Sequence, residues 1–300
     1  MKLLITGAWK YTAQQKNILQ EQGYTLIDMP DERGALPCDP AEVEAVVCNG
    51  LFLYHPIETF TALKKIQLTS AGFDRVPVSY VAEQGISLYN ARGVYSVPMA
   101  EFALSAVLRF YKQTDFFGAN QREHRWDKHR GLRELAGKTV CIVGCGSVGT
   151  ECAKRFAAMG CEVIGVDAYP RGDEAYTAML PTSALRTALL RADVAVLTLP
   201  LTEETRRIMG RDELAAMPDG GVLVNIARGG VLDTEALVNE TKTGRLFAAL
   251  DVFDDEPLPC DSPLWDIPNV TVTPHNSFVG EGNAERLWAV IRNNLTTESR

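Results

Sequence analysis

A glycine-rich segment at residues 144–149 constrains the fold of this chain more than any other feature. It reads Gly-Cys-Gly-Ser-Val-Gly, directly follows an apolar run at 139–143 and precedes a helical segment at 150–159. In a strand-turn-helix unit the first glycine permits a tight turn, the second lets the backbone approach a pyrophosphate, and the third allows close packing. The free N–H groups and dipole of the helix start also favour an anion. The candidate cofactor contacts are Gly144, Gly146, Ser147, Val148 and Gly149.

An acidic residue follows the next predicted strand at the spacing that such a site requires. Asp167 comes directly after the apolar run 162–166 and lies 18 residues beyond Gly149. This is close to the spacing of about 20 residues for the carboxylate that binds the adenosine ribose. Because a carboxylate there repels a 2′-phosphate, the sequence favours NAD over NADP, although the nearby Arg171 leaves NADP as an alternative.

Two series of short apolar runs alternate with helix-length segments, which is typical of βαβ units and parallel sheets. The first series predicts strands at residues 2–8, 25–29, 45–48, 65–70 and 86–90. The second predicts strands at 139–143, 162–166, 194–198, 221–225, 247–251 and 270–273. Amphipathic spacing predicts helices at 96–111 and 281–295. The chain is therefore predicted to be an α/β protein with two doubly wound domains, as its 300 residues also suggest.

Charge and cysteine usage exclude several classes of function. A net charge of −8 offers no broad basic surface for nucleic acid. Since no apolar stretch reaches the roughly 18 residues of a membrane span, a cytoplasmic location without membrane attachment is expected. The seven cysteines are odd in number and form no Cys-x-x-Cys pair, so neither a disulfide framework nor a metal site is predicted.

Three further motifs resemble those of the D-isomer-specific 2-hydroxyacid dehydrogenases, a family that includes phosphoglycerate, glyoxylate/hydroxypyruvate and D-lactate dehydrogenases. They read Asn-Ile-Ala-Arg-Gly-Gly-Val-Leu-Asp at 225–233, Ala-Leu-Asp-Val-Phe-Asp-Asp-Glu-Pro-Leu at 249–258 and Thr-Pro-His at 273–275. With the glycine motif they extend the resemblance over nearly the whole chain. It implies a Rossmann cofactor domain at 97–277 inserted into a flavodoxin-like substrate domain formed by 1–96 and 278–300.

The resemblance also implies a catalytic set of Arg228, Glu256 and His275. A planar guanidinium can bind the carboxylate and carbonyl oxygen of a 2-keto acid, which suits Arg228. Protonation of the oxygen as hydride reaches C2 suits a side chain that titrates near neutral pH, and His275 is the candidate acid. Glu256 would orient the imidazole and stabilise its protonated form. The expected reaction interconverts a small 2-keto acid and a D-2-hydroxy acid with NAD.

Supporting positions carry over from the same resemblance. The candidate substrate contacts are Asn49, Gly50, Ala71, Gly72 and Tyr95, together with Arg228 and His275. Further candidate cofactor contacts are Thr198, Leu199, Pro200, Thr205, Ala227 and Asp251, the last toward the nicotinamide amide. Family resemblance alone implies a homodimer, in which Trp126 is a candidate contact.

Several positions depart from the family pattern and leave the substrate open. Residues 276–279 read Asn-Ser-Phe-Val where a small apolar residue and a glycine-rich turn are usual, and Tyr95 replaces a residue that is often smaller and polar. Leu51 and Phe52 either line an apolar substrate wall or pack in the core. A phosphorylated substrate would need a second cation, for which Arg92 is the candidate.

Two other functions use the same scaffold. One is an NAD(H)-sensing, corepressor-like binding protein, against which the intact set Arg228, Glu256 and His275 counts. The other is an oxidoreductase for a one-carbon or inorganic anion, such as formate or phosphite. The loop around Ala71 and Gly72 gives no support for this second alternative.

Overall fold

The structure is a computed structural model that describes residues 1–296. Its strands are β1 (Lys2–Thr6), β2 (Thr25–Met29), β3 (Ala45–Cys48), β4 (Lys65–Leu68), β5 (Ser87–Tyr89), β6 (Thr139–Val143), β7 (Glu162–Asp167), β8 (Ala178–Pro181), β9 (Val194–Leu197), β10 (Val222–Asn225), β11 (Phe247–Leu250) and β12 (Val270–Val272). Its helices are α1 (Ala13–Glu21), α2 (Val78–Glu83), α3 (Ser96–Tyr111), α4 (Thr114–Arg122), α5 (Ser147–Ala158), α6 (Leu185–Leu189), α7 (Arg211–Ala216), α8 (Thr234–Lys242) and α9 (Asn283–Thr296).

The chain divides into two compact units. Unit 1 contains Met1–Tyr95 and the segment from Glu281 onward, and unit 2 contains Ser96–Gly280. Each unit has its own parallel sheet, with the order β2-β1-β3-β4-β5 in unit 1 and β12-β11-β10-β9-β6-β7-β8 in unit 2. The first order is flavodoxin-like, and the second is that of a Rossmann sheet with one added edge strand. The predicted fold class is thereby confirmed.

Burial explains why the strands read as continuous apolar runs. Every residue of β3, β9 and β10 is buried, as expected of parallel strands covered by helices on both faces. On α3, buried Ala100, Ala103, Val107 and Phe110 recur at helical spacing and face the core of unit 2. The structure therefore reproduces the helix predicted at 96–111 residue for residue.

The second part of unit 1 is a single helix that returns to its core. α9 buries Leu287, Ile291 and Leu295, and Trp288 stacks on Trp9 with ring centroids 5.7 Å apart. The Tyr24 hydroxyl donates to the carbonyl of Leu295 at 2.8 Å. The ammonium of Lys65 on β4 donates to the same carbonyl at 3.4 Å. Residues far apart in sequence thus build one core.

None of the helices formed by residues 1–296 combines the length and apolar character needed to cross a membrane.

Candidate active site

The three residues of the predicted catalytic set follow adjacent strands of unit 2. Strands β10, β11 and β12 are parallel neighbours, with Asn225 in register with Leu250 and Leu250 with Val272. Their carboxyl ends therefore lie at one edge of the sheet, where ligands bind in open α/β folds. The segments that leave this edge carry Arg228, Glu256 and His275.

Glu256 and His275 form a direct contact. The imidazole Nδ1 donates to Oε2 of Glu256 at 2.8 Å, and Oε1 of the same carboxylate accepts the Phe253 N–H at 3.0 Å. Both carboxylate oxygens are thus engaged, so the carboxylate fixes the ring orientation through Nδ1. The His275 side chain is 41% exposed, and Nε2 is the nitrogen left to exchange a proton with a ligand.

Asp251 holds the turn that carries His275. It is fully buried, and its Oδ1 accepts from the Thr273 hydroxyl at 2.7 Å and the Asn276 N–H at 2.8 Å. Its Oδ2 accepts the Ser277 N–H at 2.9 Å. His275 itself has a left-handed backbone with φ of 49°, which is uncommon for a residue other than glycine. The observed role of Asp251 is therefore to fix this turn, and its contact with nicotinamide stays a prediction.

Asn225 fixes the turn that carries Arg228. This fully buried side chain accepts the Ala227 N–H at Oδ1 and donates from Nδ2 to the Arg228 carbonyl, both at 3.0 Å. The next residue, Gly229, packs so closely that an added Cβ would lie 2.0 Å from the Phe253 carbonyl carbon. Only glycine permits this approach. It allows the turn that carries Arg228 to pack directly against the loop that carries Glu256. Asn225 opens the first motif, but its role in this turn is visible only in the fold.

The departure from the family pattern at 276–279 places an aromatic ring beside the histidine. The Phe278 ring packs edge-on against the His275 imidazole, with centroids 6.1 Å apart and an interplanar angle of 84°. Phe278 is 39% exposed and Val279 is 56% exposed, so this turn presents an apolar surface next to the imidazole.

The three glycines of the loop between β6 and α5 have different surroundings. A Cβ on Gly144 would lie 2.6 Å from the Leu199 N, and one on Gly149 would lie 2.1 Å from the Gly144 carbonyl oxygen. A Cβ on Gly146 would meet no atom within 4 Å. Gly146 is the N-cap of α5, and the first-turn N–H groups of a helix have no partner within the helix itself. This arrangement fits the pyrophosphate of a dinucleotide.

The other predicted cofactor residues lie along the same sheet edge, since β9, β6 and β7 are neighbours. Asp167 accepts the Cys145 N–H at 2.7 Å and the Tyr169 N–H at 2.9 Å, which anchors its carboxylate beside the glycine loop. The Thr198 hydroxyl donates to the Gly144 carbonyl at 2.5 Å. The remaining candidates on this edge are Val148, Leu199, Pro200, Thr205 and Ala227, of which Thr205 donates to the Pro200 carbonyl at 2.7 Å.

One thiol lies inside the glycine loop. Burial, reinforced by the charge of Asp167, raises the pKa of Cys145 to about 11. The thiol is therefore uncharged at neutral pH and does not repel an anionic ligand bound by the loop.

The predicted substrate residues of unit 1 lie at the ends of β3 and β4. These strands are paired, and the Thr69 N–H donates to the Cys48 carbonyl at 2.8 Å, so the two turns that follow are adjacent. In the second turn the Asn90 amide donates to the Ala71 carbonyl at 2.6 Å and the Ser70 hydroxyl to the Gly72 carbonyl at 3.1 Å. Asn90 is thus a positioning group that sequence analysis did not identify.

Tyr95 supports the same turn from the end of unit 1. Its hydroxyl donates to the Thr69 carbonyl, and burial raises the pKa of the phenol. Tyr95 is therefore a neutral hydrogen-bond donor near the Ala71 turn.

The turn at residues 49–50 is held by Glu32, a residue that no sequence motif indicated. Glu32 accepts the Asn49 N–H at Oε1 and the Gly50 N–H at Oε2, both at 2.7 Å. Leu51 is fully buried and Phe52 packs edge-on against Phe60, so both belong to the core. The exposed apolar side chains of this segment are the next two, Leu53 and Tyr54, at 58% and 53%.

Comparisons with known proteins point to one family. Residues 104–277 match the family model described as D-isomer specific 2-hydroxyacid dehydrogenase, NAD binding domain. A hydroxypyruvate reductase of Thermotoga maritima is 37% identical over 238 residues, which are 76% of this chain and 74% of that protein. A D-3-phosphoglycerate dehydrogenase of Methanocaldococcus jannaschii is 36% identical over 251 residues, or 80% of this chain. The match covers 48% of that enzyme, so this chain spans about half its length.

A solved structure shares both the family and the fold. It is a D-isomer specific 2-hydroxyacid dehydrogenase from Xanthobacter autotrophicus Py2 in complex with NADPH and MES. Its TM-score is 0.79 at 30% identity, with 98% of this chain and 93% of that chain covered. The matched domain type binds a nicotinamide dinucleotide, as the glycine loop of unit 2 predicts. The chain belongs to the D-isomer-specific 2-hydroxyacid dehydrogenase family.

Proposed function

We propose that the chain interconverts a small 2-keto acid and the corresponding D-2-hydroxy acid with NAD. A bound nicotinamide dinucleotide supplies the hydride for C2 in reduction and accepts it in oxidation. The observation that carries the proposal is the 2.8 Å contact between His275 Nδ1 and Glu256 Oε2, which leaves Nε2 for the substrate. A corepressor-like binding protein has no need of such a pair.

His275, supported by Glu256, transfers the proton to and from the oxygen on C2. As C2 is reduced, its oxygen gains negative charge, and the Nε2–H of His275 donates a proton to it. In oxidation Nε2 takes the hydroxyl proton back. Glu256 accepts the hydrogen bond from Nδ1, which fixes the ring and stabilises the imidazolium that exists on one side of the reaction. The pair therefore serves both directions.

Arg228 and the turn that contains Ala71 bind the carboxylate of the substrate. The guanidinium of Arg228 binds one carboxylate oxygen and the oxygen on C2, which holds the substrate in one orientation and stabilises the charge that develops. The N–H groups of Ala71 and Gly72 bind the other carboxylate oxygen. The hydrogen bonds from Asn90 and Ser70 to the carbonyls of this turn support that role, because they orient its peptide planes.

The cofactor preference is proposed from Asp167. Its carboxylate, anchored by the N–H groups of Cys145 and Tyr169, favours a free ribose hydroxyl over a 2′-phosphate. The NADPH complex of the Xanthobacter relative makes NADP the competing choice. Steady-state kcat/KM for NADH and NADPH decides between them, and a preference for NADPH would contradict the proposal.

The activity itself is tested by NADH consumption with pyruvate, hydroxypyruvate, glyoxylate, 2-ketoisocaproate and phenylpyruvate. We expect turnover with at least one of them and a D-configured product on chiral analysis. Tight NADH binding without turnover on any 2-keto acid would favour the NAD(H)-sensing alternative. Turnover on formate or phosphite alone would favour the anion oxidoreductase.

The assignment of substrate binding and cofactor binding to different parts of the chain is also a proposal. We assign substrate binding to residues 1–96 with 278–300 and cofactor binding to 97–277. A homodimer is proposed from the resemblance and from Trp126, whose side chain is 94% exposed. A cytoplasmic location stays a prediction from the sequence.

A further inference from the structure

Glu32 lies in the loop after β2 and holds the 49–50 turn with a charged group. Its Oε1 accepts from the Asn49 N–H and from the Thr6 hydroxyl, each at 2.7 Å, and its Oε2 accepts the Gly50 N–H at 2.7 Å. The side chain is half-buried, while Thr6 is 2% exposed and Gly50 is buried. The carboxylate on the loop after β2 thus joins the end of β1 to the turn after β3.

This arrangement changes what the 49–50 turn can offer a ligand. Two successive backbone N–H groups at a strand end would form a ready site for an anion. Here the Glu32 carboxylate takes both, so the turn has no backbone donor left for a substrate oxygen. All three donors to Glu32 are uncharged, so they orient its negative charge without neutralising it. The adjacent turn at Ala71 and Gly72 keeps its amides for the single carboxylate of the substrate.

The surroundings of Gly50 show which side chains border this turn. A Cβ on Gly50 would lie 3.4 Å from Glu32 Oε2, 3.5 Å from Leu53 Cδ1 and 3.7 Å from Arg75 Cδ. Leu53 is 58% exposed, and Arg75 is exposed with its aliphatic Cδ nearest the turn. Nearby Arg33 is paired with Asp31 at 2.9 Å. The wall therefore combines an apolar side chain with the negative charge of Glu32, and exposed Arg75 borders it through its aliphatic part.

We propose that Glu32 is a specificity-determining residue that makes the enzyme favour 2-keto acids with an uncharged side chain over those with a second anionic group. The proposal rests on the proposed function and names the substrate class for that same site. Glu32 acts in two ways: it removes two amide donors that would bind a second anion, and it repels such an anion. An uncharged side chain can pack against Leu53 without meeting either effect.

The test compares two keto acids of equal chain length, 2-oxopentanoate and 2-oxoglutarate, which differ by one terminal carboxylate. For the wild type we expect a higher kcat/KM with 2-oxopentanoate. Glu32→Gln keeps an oxygen for Asn49 and Thr6 but loses the charge and releases the Gly50 N–H. We expect this variant to lower the ratio of the two kcat/KM values about fivefold, through the KM for 2-oxoglutarate, as removal of one partly screened charge would.

Thr6→Val is the matched control. It deletes one hydrogen bond to the same carboxylate and leaves the charge in place, so the ratio should stay within about twofold of the wild type. Circular dichroism confirms that both variants are folded. A ratio that is unchanged in Glu32→Gln, or that shifts equally in Thr6→Val, would overturn the inference while turnover on 2-oxopentanoate upholds the proposed function. No turnover on any 2-keto acid would overturn both.

Discussion

The role proposed for His275 depends on its neighbours, so single substitutions can separate its contribution from theirs. We expect His275→Ala to lower kcat by about 10²–10⁴, the usual contribution of acid–base catalysis, with little change in NADH affinity. Glu256→Gln should cost less, because the amide oxygen still accepts from Nδ1 but no longer stabilises the imidazolium. Stopped-flow single turnovers and NADH fluorescence titration measure the two effects. Unchanged turnover in His275→Ala would remove this residue from the mechanism.

Asp251 offers a second test at the residue scale. The buried carboxylate accepts from two backbone N–H groups and one hydroxyl, so an amide in its place would set an N–H against a donor. We expect Asp251→Asn to lower the free energy of unfolding by about 1–3 kcal/mol and to lower kcat by displacing His275. Denaturant titration and activity assays measure these two effects. Thr273→Val, which removes only the hydroxyl donor, should cost less on both measures.

The sequence pointed to the three residues proposed for catalysis but not to the groups that position their turns. Arg228, Glu256 and His275 lie in short motifs, and the structure brings their segments to one sheet edge. The contact of Asp251 with the cofactor stays a prediction, and its observed partners, which no motif indicated, lie in the turn around His275. Glu32 has no motif at all, because its partners Thr6 and Gly50 are distant in sequence and only the folded sheet brings them together.

At the scale of elements, most strands were predicted with their ends misplaced by one or two residues. β4 ends at Leu68 rather than at residue 70, because the chain bends at Thr69 and Ser70 although the Thr69 N–H still donates to the Cys48 carbonyl. β8 was missed, since Ala178–Pro181 is a short, partly exposed edge strand that ends in proline. Helix α5 begins at Ser147 rather than at residue 150, although glycine disfavours helices, because Gly149 packs on the Gly144 carbonyl.

Two glycine substitutions in the loop at 144–149 can separate cofactor binding from folding. Gly146→Ala puts a methyl into open space at an allowed φ of −74°, so we expect an unchanged melting temperature. The methyl should still obstruct a pyrophosphate and raise the Kd for NADH about tenfold. Gly149→Ala should instead lower the free energy of unfolding by about 1–3 kcal/mol, because its Cβ meets the Gly144 oxygen at 2.1 Å. Equal NADH affinity in Gly146→Ala and wild type would contradict the assignment of the loop.

For the whole molecule, the proposed homodimer predicts that association depends on Trp126. We expect light scattering at micromolar concentration to give twice the chain mass, and Trp126→Ser to weaken the dimer because a 94% exposed indole is a typical interface anchor. Trp265→Ser is the matched control, since Trp265 is also in unit 2 and 51% exposed but donates to the Pro259 carbonyl. A monomeric wild type would contradict the proposal.

The return of α9 to unit 1 also has a consequence for the order in which the chain is made. All of unit 2 is contiguous, so its core residues are complete once Gly280 has been synthesised. At that point unit 1 still lacks α9, whose Trp288 stacks on Trp9 and whose Leu295 carbonyl accepts a hydrogen bond from Tyr24. During translation, residues 1–95 are therefore made well before the helix that completes their core. Unit 2 can fold in the interval, while unit 1 still exposes apolar surface to chaperones.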